Sequence, residues 1–163
     1  MYRDFLQVGF LIELLILVAV FAFAAWKGEQ AEKLGAAFNL AAGLLAAPVQ
    51  HYRGAYTLGI DTPGLILLGI DGLLAAGFLW LALRYASLWL GGALLLQAVQ
   101  FSLHAYYLMM SLPHDWTYAT VNNLDTDGIN VLIVIGTLLV WRARRRLARA
   151  GDPEVVARPS PTA

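Results

Sequence analysis

Cysteine is absent from the 163 residues of this chain, and charged residues make up only 13 % of it. Without cysteine the chain forms no disulfide and no thiolate metal site. Soluble domains carry about a quarter of charged residues, so the shortage of charge excludes an ordinary soluble domain. Glycine-rich phosphate loops and nucleophile elbows are also lacking, so the sequence offers no support for nucleotide chemistry or triad hydrolysis.

Long apolar segments are what the chain has in abundance, since hydrophobic residues make up 60 % of it. The hydrocarbon core of a bilayer is about 30 Å thick and takes about 20 helical residues to cross. Five segments approach that length: Val8–Trp26, Leu34–Gln50, Pro63–Leu83, Leu88–Met110 and a fifth that ends at Trp141. We therefore predict an all-α, polytopic membrane helix bundle with five transmembrane helices in residues 1–141.

Two of these segments leave alternatives open. The purely apolar part of the fifth, from Ile129 to Trp141, is too short to cross. Either the helix begins near Asn122, or a tilted and shorter helix begins near Asp127. The Ala-rich second segment could instead lie in the membrane interface, which would leave four spans and turn the N-terminus inward.

Basic residues indicate the orientation of the bundle, because they collect on the cytoplasmic side of membrane proteins. With the C-terminus inside, nine of the 11 lysines and arginines are cytoplasmic (Lys27, Lys33, Arg84, Arg142, Arg144, Arg145, Arg146, Arg149, Arg158) and two are outside (Arg3, Arg53). We predict an external N-terminus and a cytoplasmic C-terminus. Residues 142–163 form a basic juxtamembrane segment and a Pro-rich, disordered tail in this prediction.

Polar side chains inside the apolar segments share one half of the membrane. Asp71 and Gln100 are equally distant from the turn at 84–87, and His104 lies about 6 Å further out along the fourth segment. Gln97, Gln100 and His104 are spaced i, i+3, i+7 and so form one helix face. We therefore expect Asp71 to contact this face inside the bundle.

These polar residues are candidate functional groups, because polar and ionisable side chains at membrane depth are costly. The catalytic candidates are Asp71, Glu13 and His104. The candidate ligand-binding residues are Asp71, Gln97, Gln100, His104, Asp127 and Asn130. The sequence favours a small cavity in the outer half, open near His51, Asp61 and His114. The alternative is a set of interhelical hydrogen bonds that hold the helices in register.

Metal and cofactor sites are not predicted. Zinc usually takes three or four ligands, and no HExxH-like spacing connects the histidines of this chain with its carboxylates. A haem between His51 and His104 would need both imidazoles to face each other at similar depth, whereas His51 lies at a helix end.

Short motifs resemble a known group of proteins. The motifs are the turn Trp26–Glu29, the helix around Asp71, the stretch from Leu88 to His104 and the tripeptide Tyr118–Thr120. Together they are similar to small multi-pass inner-membrane proteins of alphaproteobacteria, over most of residues 5–141. This resemblance implies a bacterial inner membrane and no particular activity. A fainter likeness to the emopamil-binding-protein-like fold, a five-span bundle that acts on sterols, places no catalytic residue here.

Three functions are compatible with these features. The first is a non-enzymatic scaffold or accessory membrane protein, whose small-residue stripe on the second segment (Gly35, Asn39, Gly43, Ala47) lets a helix approach closely. The second is a lipid- or isoprenoid-binding protein or enzyme with a polar pocket. The third is a proton-linked transporter. The sequence favours them in this order, with membrane lipids, a membrane-protein partner or a second copy as partners and no nucleic acid.

Overall fold

A computed structural model of the chain describes residues 2–52, 62–113 and 115–150, and the side chains of residues 11–49, 63–113 and 115–149. It contains five α-helices in these ranges: α1 (Tyr2–Lys27), α2 (Gln30–Tyr52), α3 (Thr62–Tyr85), α4 (Leu88–Met109) and α5 (Trp116–Ala150). The all-helical prediction is confirmed. Three helices are long and apolar enough to cross a membrane: Pro63–Tyr85, Leu88–Met109 and Trp116–Arg149.

Helix α5 is longer at both ends than the fifth predicted segment. It begins after Asp115, whose carboxylate accepts a hydrogen bond from the backbone N–H of Tyr118 at 2.9 Å and so caps the first turn. The polar residues from Asn122 onwards are therefore helical, as in the first of the two alternatives. At the other end the helix continues past Trp141 to Ala150, because arginine, alanine and leucine are strong helix formers.

The five helices form a closed ring in chain order. Each helix from α1 to α4 packs against the next, α5 packs against α4 and α1, and α2 also reaches α5 across the ring. The connections from α1 to α2 and from α3 to α4 are two residues long, which makes these pairs antiparallel neighbours. The ring encloses an interior to which all five helices contribute side chains.

The two short turns and the C-terminal part of α5 meet at one end of the bundle. Glu32 is buried in the first turn of α2, and accepts hydrogen bonds from the backbone N–H of Glu29 and from the indole of Trp89, both at 3.0 Å. Arg144 of α5 donates to Glu29 at 2.8 Å. These contacts connect three helices that are distant in sequence.

Apolar packing fills the half of the ring next to these turns. Phe78 and Leu81 of α3, Leu90 of α4 and Ile133 of α5 are completely buried there. The ring of Trp89 lies against two glycine positions, Gly35 of α2 and Gly136 of α5, where a Cβ atom would come within 2.7 Å of the indole. The opposite half of the ring holds the polar residues, and the candidate site lies there.

Candidate functional site

Asp71 forms the floor of the candidate site. Its side chain is 91 % buried; Oδ1 accepts a hydrogen bond from Gln97 Nε2 at 3.3 Å, and Oδ2 contacts Nδ1 of His104. The contact between Asp71 and the predicted face of α4 is therefore confirmed. The partner of this carboxylate is an imidazole of the adjacent helix.

The local sequence explains this contact. Gln97 and His104 are seven residues, or two helical turns, apart and so lie on the same face of α4. Because α3 and α4 are joined by a tight turn, residues at matching distances from it lie side by side. Gln97 is completely buried and also contacts the backbone oxygen of Asp71 at 3.4 Å.

Two other predicted residues turn to different partners. Gln100 donates to Asn122 of α5 at 3.2 Å, and Asn130 of α5 accepts from Asn39 of α2 at 2.8 Å. The expectation that all three polar residues of α4 serve Asp71 is thus correct for two of them. Gln100 instead links α4 to the N-terminal part of α5.

A cavity of about 80 Å³ opens between the helices at this level. Its polar lining comes from every helix of the ring: Glu13, Asn39, Asp71, Gln97, Gln100, His104, Asn122 and Thr126. Leucine, isoleucine, alanine and glycine complete its walls. One water molecule occupies about 30 Å³ in liquid water. The cavity therefore accommodates a few waters or one small polar group.

Glu13, Asp127 and Asn130 lie in different surroundings from one another. Glu13 borders the cavity from α1 and is exposed, and Asp127 is exposed and lies outside the lining. Asn130 is buried against Asn39 and is not part of the lining either. The mouth that we predict near His51, Asp61 and His114 falls on side chains outside the described ones.

Asn39, Asn122 and Thr126 are cavity residues that the sequence-based list omitted. Asn122 and Thr126 are four residues apart on α5, so that they share a face, and the threonine hydroxyl donates to the backbone carbonyl of Asn122 at 3.0 Å. Their spacing is the signal that could have revealed them once the helix was extended to Asn122.

Three buried polar atoms have no hydrogen-bond partner among the described residues: Gln97 Oε1, His104 Nε2 and Asp125 Oδ2. Buried polar atoms in native proteins are normally paired with protein groups or with water. Gln97 and His104 both line the cavity. Asp125 is buried on α5 and is not among the residues that line the cavity.

Aromatic rings separate His104 from the end of the bundle. The imidazole packs against Tyr118 in a tilted arrangement with 5.3 Å between centroids, and Tyr118 makes an edge contact with Tyr107 at 5.0 Å. The hydroxyl of Tyr107 donates to Asp115 at 2.8 Å. Hydrogen bonds from the backbone of Tyr118 and from Tyr107 hold the pKa of Asp115 below its ordinary value.

The pair of Asp71 and His104 is suited to hold a proton or a hydrogen-bond donor. A carboxylate at Nδ1 favours the tautomer with hydrogen on that nitrogen, which leaves the lone pair of Nε2 to accept. Among the described residues no group of three histidine, aspartate or glutamate side chains is placed to hold a metal ion.

An apolar groove of about 190 Å³ runs between α2 and α3 next to this cavity. Phe38, Leu45 and Leu73 line it together with small residues. Three residues line both the groove and the cavity: Ala42, Ile70 and Leu74. The polar and the apolar spaces therefore adjoin across these three side chains.

Comparisons with known proteins add no relative. A scan against protein-family models, a search of curated proteins and a search of solved structures each find no match to this chain. A functional assignment therefore depends on the geometry of the site.

Proposed function

We propose that the protein is an integral membrane protein that binds an amphipathic lipid, with the polar end in the cavity and the apolar chain in the groove. The observation that carries this proposal is that Ala42, Ile70 and Leu74 line both spaces. Ligand sites typically combine apolar walls with a few convergent polar groups. An amphipathic molecule matches a polar space that adjoins an apolar one.

The sizes of the two spaces support a ligand that divides between them. Sites that enclose a drug-sized molecule measure about 300–1,000 Å³, and the polar cavity is about 80 Å³. A whole lipid or isoprenoid is too large for it, whereas a single polar group fits. The groove has a volume of about 190 Å³ and extends along α2 from Phe38 to Leu45. It is therefore long enough to hold part of one apolar lipid chain.

The scaffold function has less support from the packing. The small residues of α2 that were expected to receive a partner helix contact this chain itself, with Trp89 against Gly35 and Leu17 against Gly43. The hydrogen bond of Asn39 is likewise internal. Proton-linked transport has less support as well, because the half of the ring that a polar path would have to cross is filled by buried Phe78 and Leu81.

Occupancy of the junction is the property to test. Ala42→Leu adds volume where cavity and groove meet, and Ala76→Leu makes the same change at an exposed position of α3. We expect lipid that co-purifies with the wild-type protein, detected by native mass spectrometry in a mild detergent, to be lost from the Ala42 variant and retained by the Ala76 variant. Equal lipid in both variants, or none in the wild type, would refute the proposal.

We also propose five membrane spans in a bacterial inner membrane, with the N-terminus outside and the C-terminus in the cytoplasm. The antiparallel order of the ring agrees with this arrangement, since the α1–α2 turn and the C-terminal part of α5 meet at one end through Glu29 and Arg144. Reporter fusions at residues 30, 57, 85, 118 and 155 test it. A periplasmic signal at 155 would overturn the orientation.

A further inference from the structure

We infer that the polar end of the bound lipid is a hydroxyl group, so that the ligand is a lipid or isoprenoid alcohol. This inference rests on the proposed lipid-binding function and narrows the chemistry of its ligand. It follows from the hydrogen-bonding state and the charge of the groups around the cavity.

Two residues of the cavity lining carry buried acceptors of hydrogen bonds. Gln97 Oε1 and His104 Nε2 are buried without a partner among the described residues, and both residues line the cavity. The amide oxygen is an acceptor in every state, and Nε2 is an acceptor while Nδ1 carries hydrogen toward Asp71. A ligand that donates a hydrogen bond satisfies a buried atom that otherwise lacks one.

The charge of the lining opposes anionic head groups. Glu13 and Asp71 contribute carboxyl groups, and no lysine or arginine is among the residues that line the described cavity. Phosphate and carboxylate groups are recognised in proteins by arginine, lysine or clustered backbone N–H groups. A prenyl phosphate or a fatty acid would place its negative charge in a cavity whose lining offers it no basic side chain.

A protonated amine would find the carboxyl group of Glu13 on the cavity wall, but it is a poorer match than a hydroxyl to the unpaired atoms. Both oxygens of Asp71 already have partners, Gln97 at Oδ1 and His104 at Oδ2. The unpaired atoms are an uncharged amide oxygen and an imidazole nitrogen, which carries hydrogen when His104 is protonated. A hydroxyl both donates and accepts, so it pairs with Nε2 in either state, whereas an ammonium group only donates.

A series of ligands with one chain and different head groups tests the assignment. The probes are 1-hexadecanol, hexadecanoic acid, hexadecyl phosphate and hexadecylamine, titrated into the full chain after lipid has been removed in detergent at pH 7.5. We expect the alcohol to bind with a dissociation constant about tenfold lower than those of the charged probes, because an unmatched charge in the cavity costs at least about 1.4 kcal/mol. Native mass spectrometry measures the occupancies.

Two variants connect binding with the proposed atoms. Gln97→Met removes the amide oxygen at similar volume, and we expect it to weaken alcohol binding by about fivefold, which corresponds to one hydrogen bond. Ser102→Ala, at an exposed position of the same helix, should leave binding unchanged. If the methionine variant does not fold, ¹⁵N spectra of His104 provide the test, since the alcohol should shift the Nε2 resonance.

The outcomes separate the two proposals. Tighter binding of the acid, the phosphate or the amine than of the alcohol overturns the hydroxyl assignment and leaves lipid binding intact. Equal binding of the alcohol to the wild type and Gln97→Met, with no shift of Nε2, also overturns it. If no probe distinguishes the wild type from Ala42→Leu, the lipid-binding function itself fails.

Discussion

Removing the contact between Asp71 and His104 is the most informative test of the site. Both side chains are 9 % exposed. In His104→Leu the carboxyl group of Asp71 stays buried with Gln97 as its remaining side-chain donor. Breaking a buried pair by removing one partner costs about 3–5 kcal/mol, and because the cavity can admit water we expect the lower end, about 3 kcal/mol of unfolding free energy.

The reverse substitution should be milder. Asp71→Leu leaves an uncharged imidazole without an acceptor at Nδ1, which costs about 1–2 kcal/mol. The double variant places two leucines against each other in an apolar bundle, and we expect it to lose about 1–2 kcal/mol in total. The sum of the single effects exceeds the double effect by about 3 kcal/mol, which lies at the upper end for residues in direct contact.

A double-mutant cycle measures this difference. Reversible unfolding in mixed micelles of dodecyl maltoside and sodium dodecyl sulfate, followed by circular dichroism, gives the free energy of each variant. A parallel cycle of Asp71→Leu with Ser102→Ala is the control, because Ser102 is exposed and bonds its own helix at Ala98, and it should be additive within about 0.5 kcal/mol. A coupling below about 0.5 kcal/mol between Asp71 and His104 would refute the pairing.

Three further outcomes are expected elsewhere in the chain. Glu32→Gln should lower the unfolding free energy by about 1 kcal/mol in the same assay. Glu32 accepts two hydrogen bonds, and in the variant one of the two donors loses its carboxylate acceptor. Gly136→Ala should cost about 1–3 kcal/mol, because its Cβ would lie 2.6 Å from Trp89 Cδ1, whereas Gly91→Ala, with nothing within 4 Å, should be neutral or stabilising. In ¹³C spectra the pKa of Asp115 should lie below that of an ordinary aspartate, because the first turn of α5 donates a hydrogen bond to its carboxylate. The contribution of Asp115 to stability is therefore present at neutral pH and is lost as the pH falls through that lowered pKa.

The helices themselves could be predicted from the sequence. Apolar runs of near-bilayer length and the turns that interrupt them are local features, and α4 begins at Leu88 as predicted. Helix ends were less predictable. The carboxyl cap of Asp115 and the helix-forming residues after Trp141 lengthen α5 beyond its apolar part, because capping and helix propensity do not depend on hydropathy.

The core of the candidate site was also predictable, for a geometric reason. Asp71 meets Gln97 and His104 because a two-residue turn makes α3 and α4 antiparallel neighbours, and helical periodicity places both α4 residues on one face. Depth along two adjacent helices can be counted in residues. The sequence alone therefore identified the side chains of α3 and α4 that come together.

Contacts between helices distant in sequence were decided by the tertiary structure. Asn39 bonds to Asn130, 91 residues away, Gln100 turns to Asn122, and Trp89 reaches Glu32. These contacts depend on how each helix is rotated about its own axis when the ring closes, and that rotation follows from the packing of all five helices together. The same closure aligns the polar cavity with the apolar groove at Ala42, Ile70 and Leu74. The sequence determines the helices and the depth of each residue along them. Only the packed ring brings these surfaces into contact.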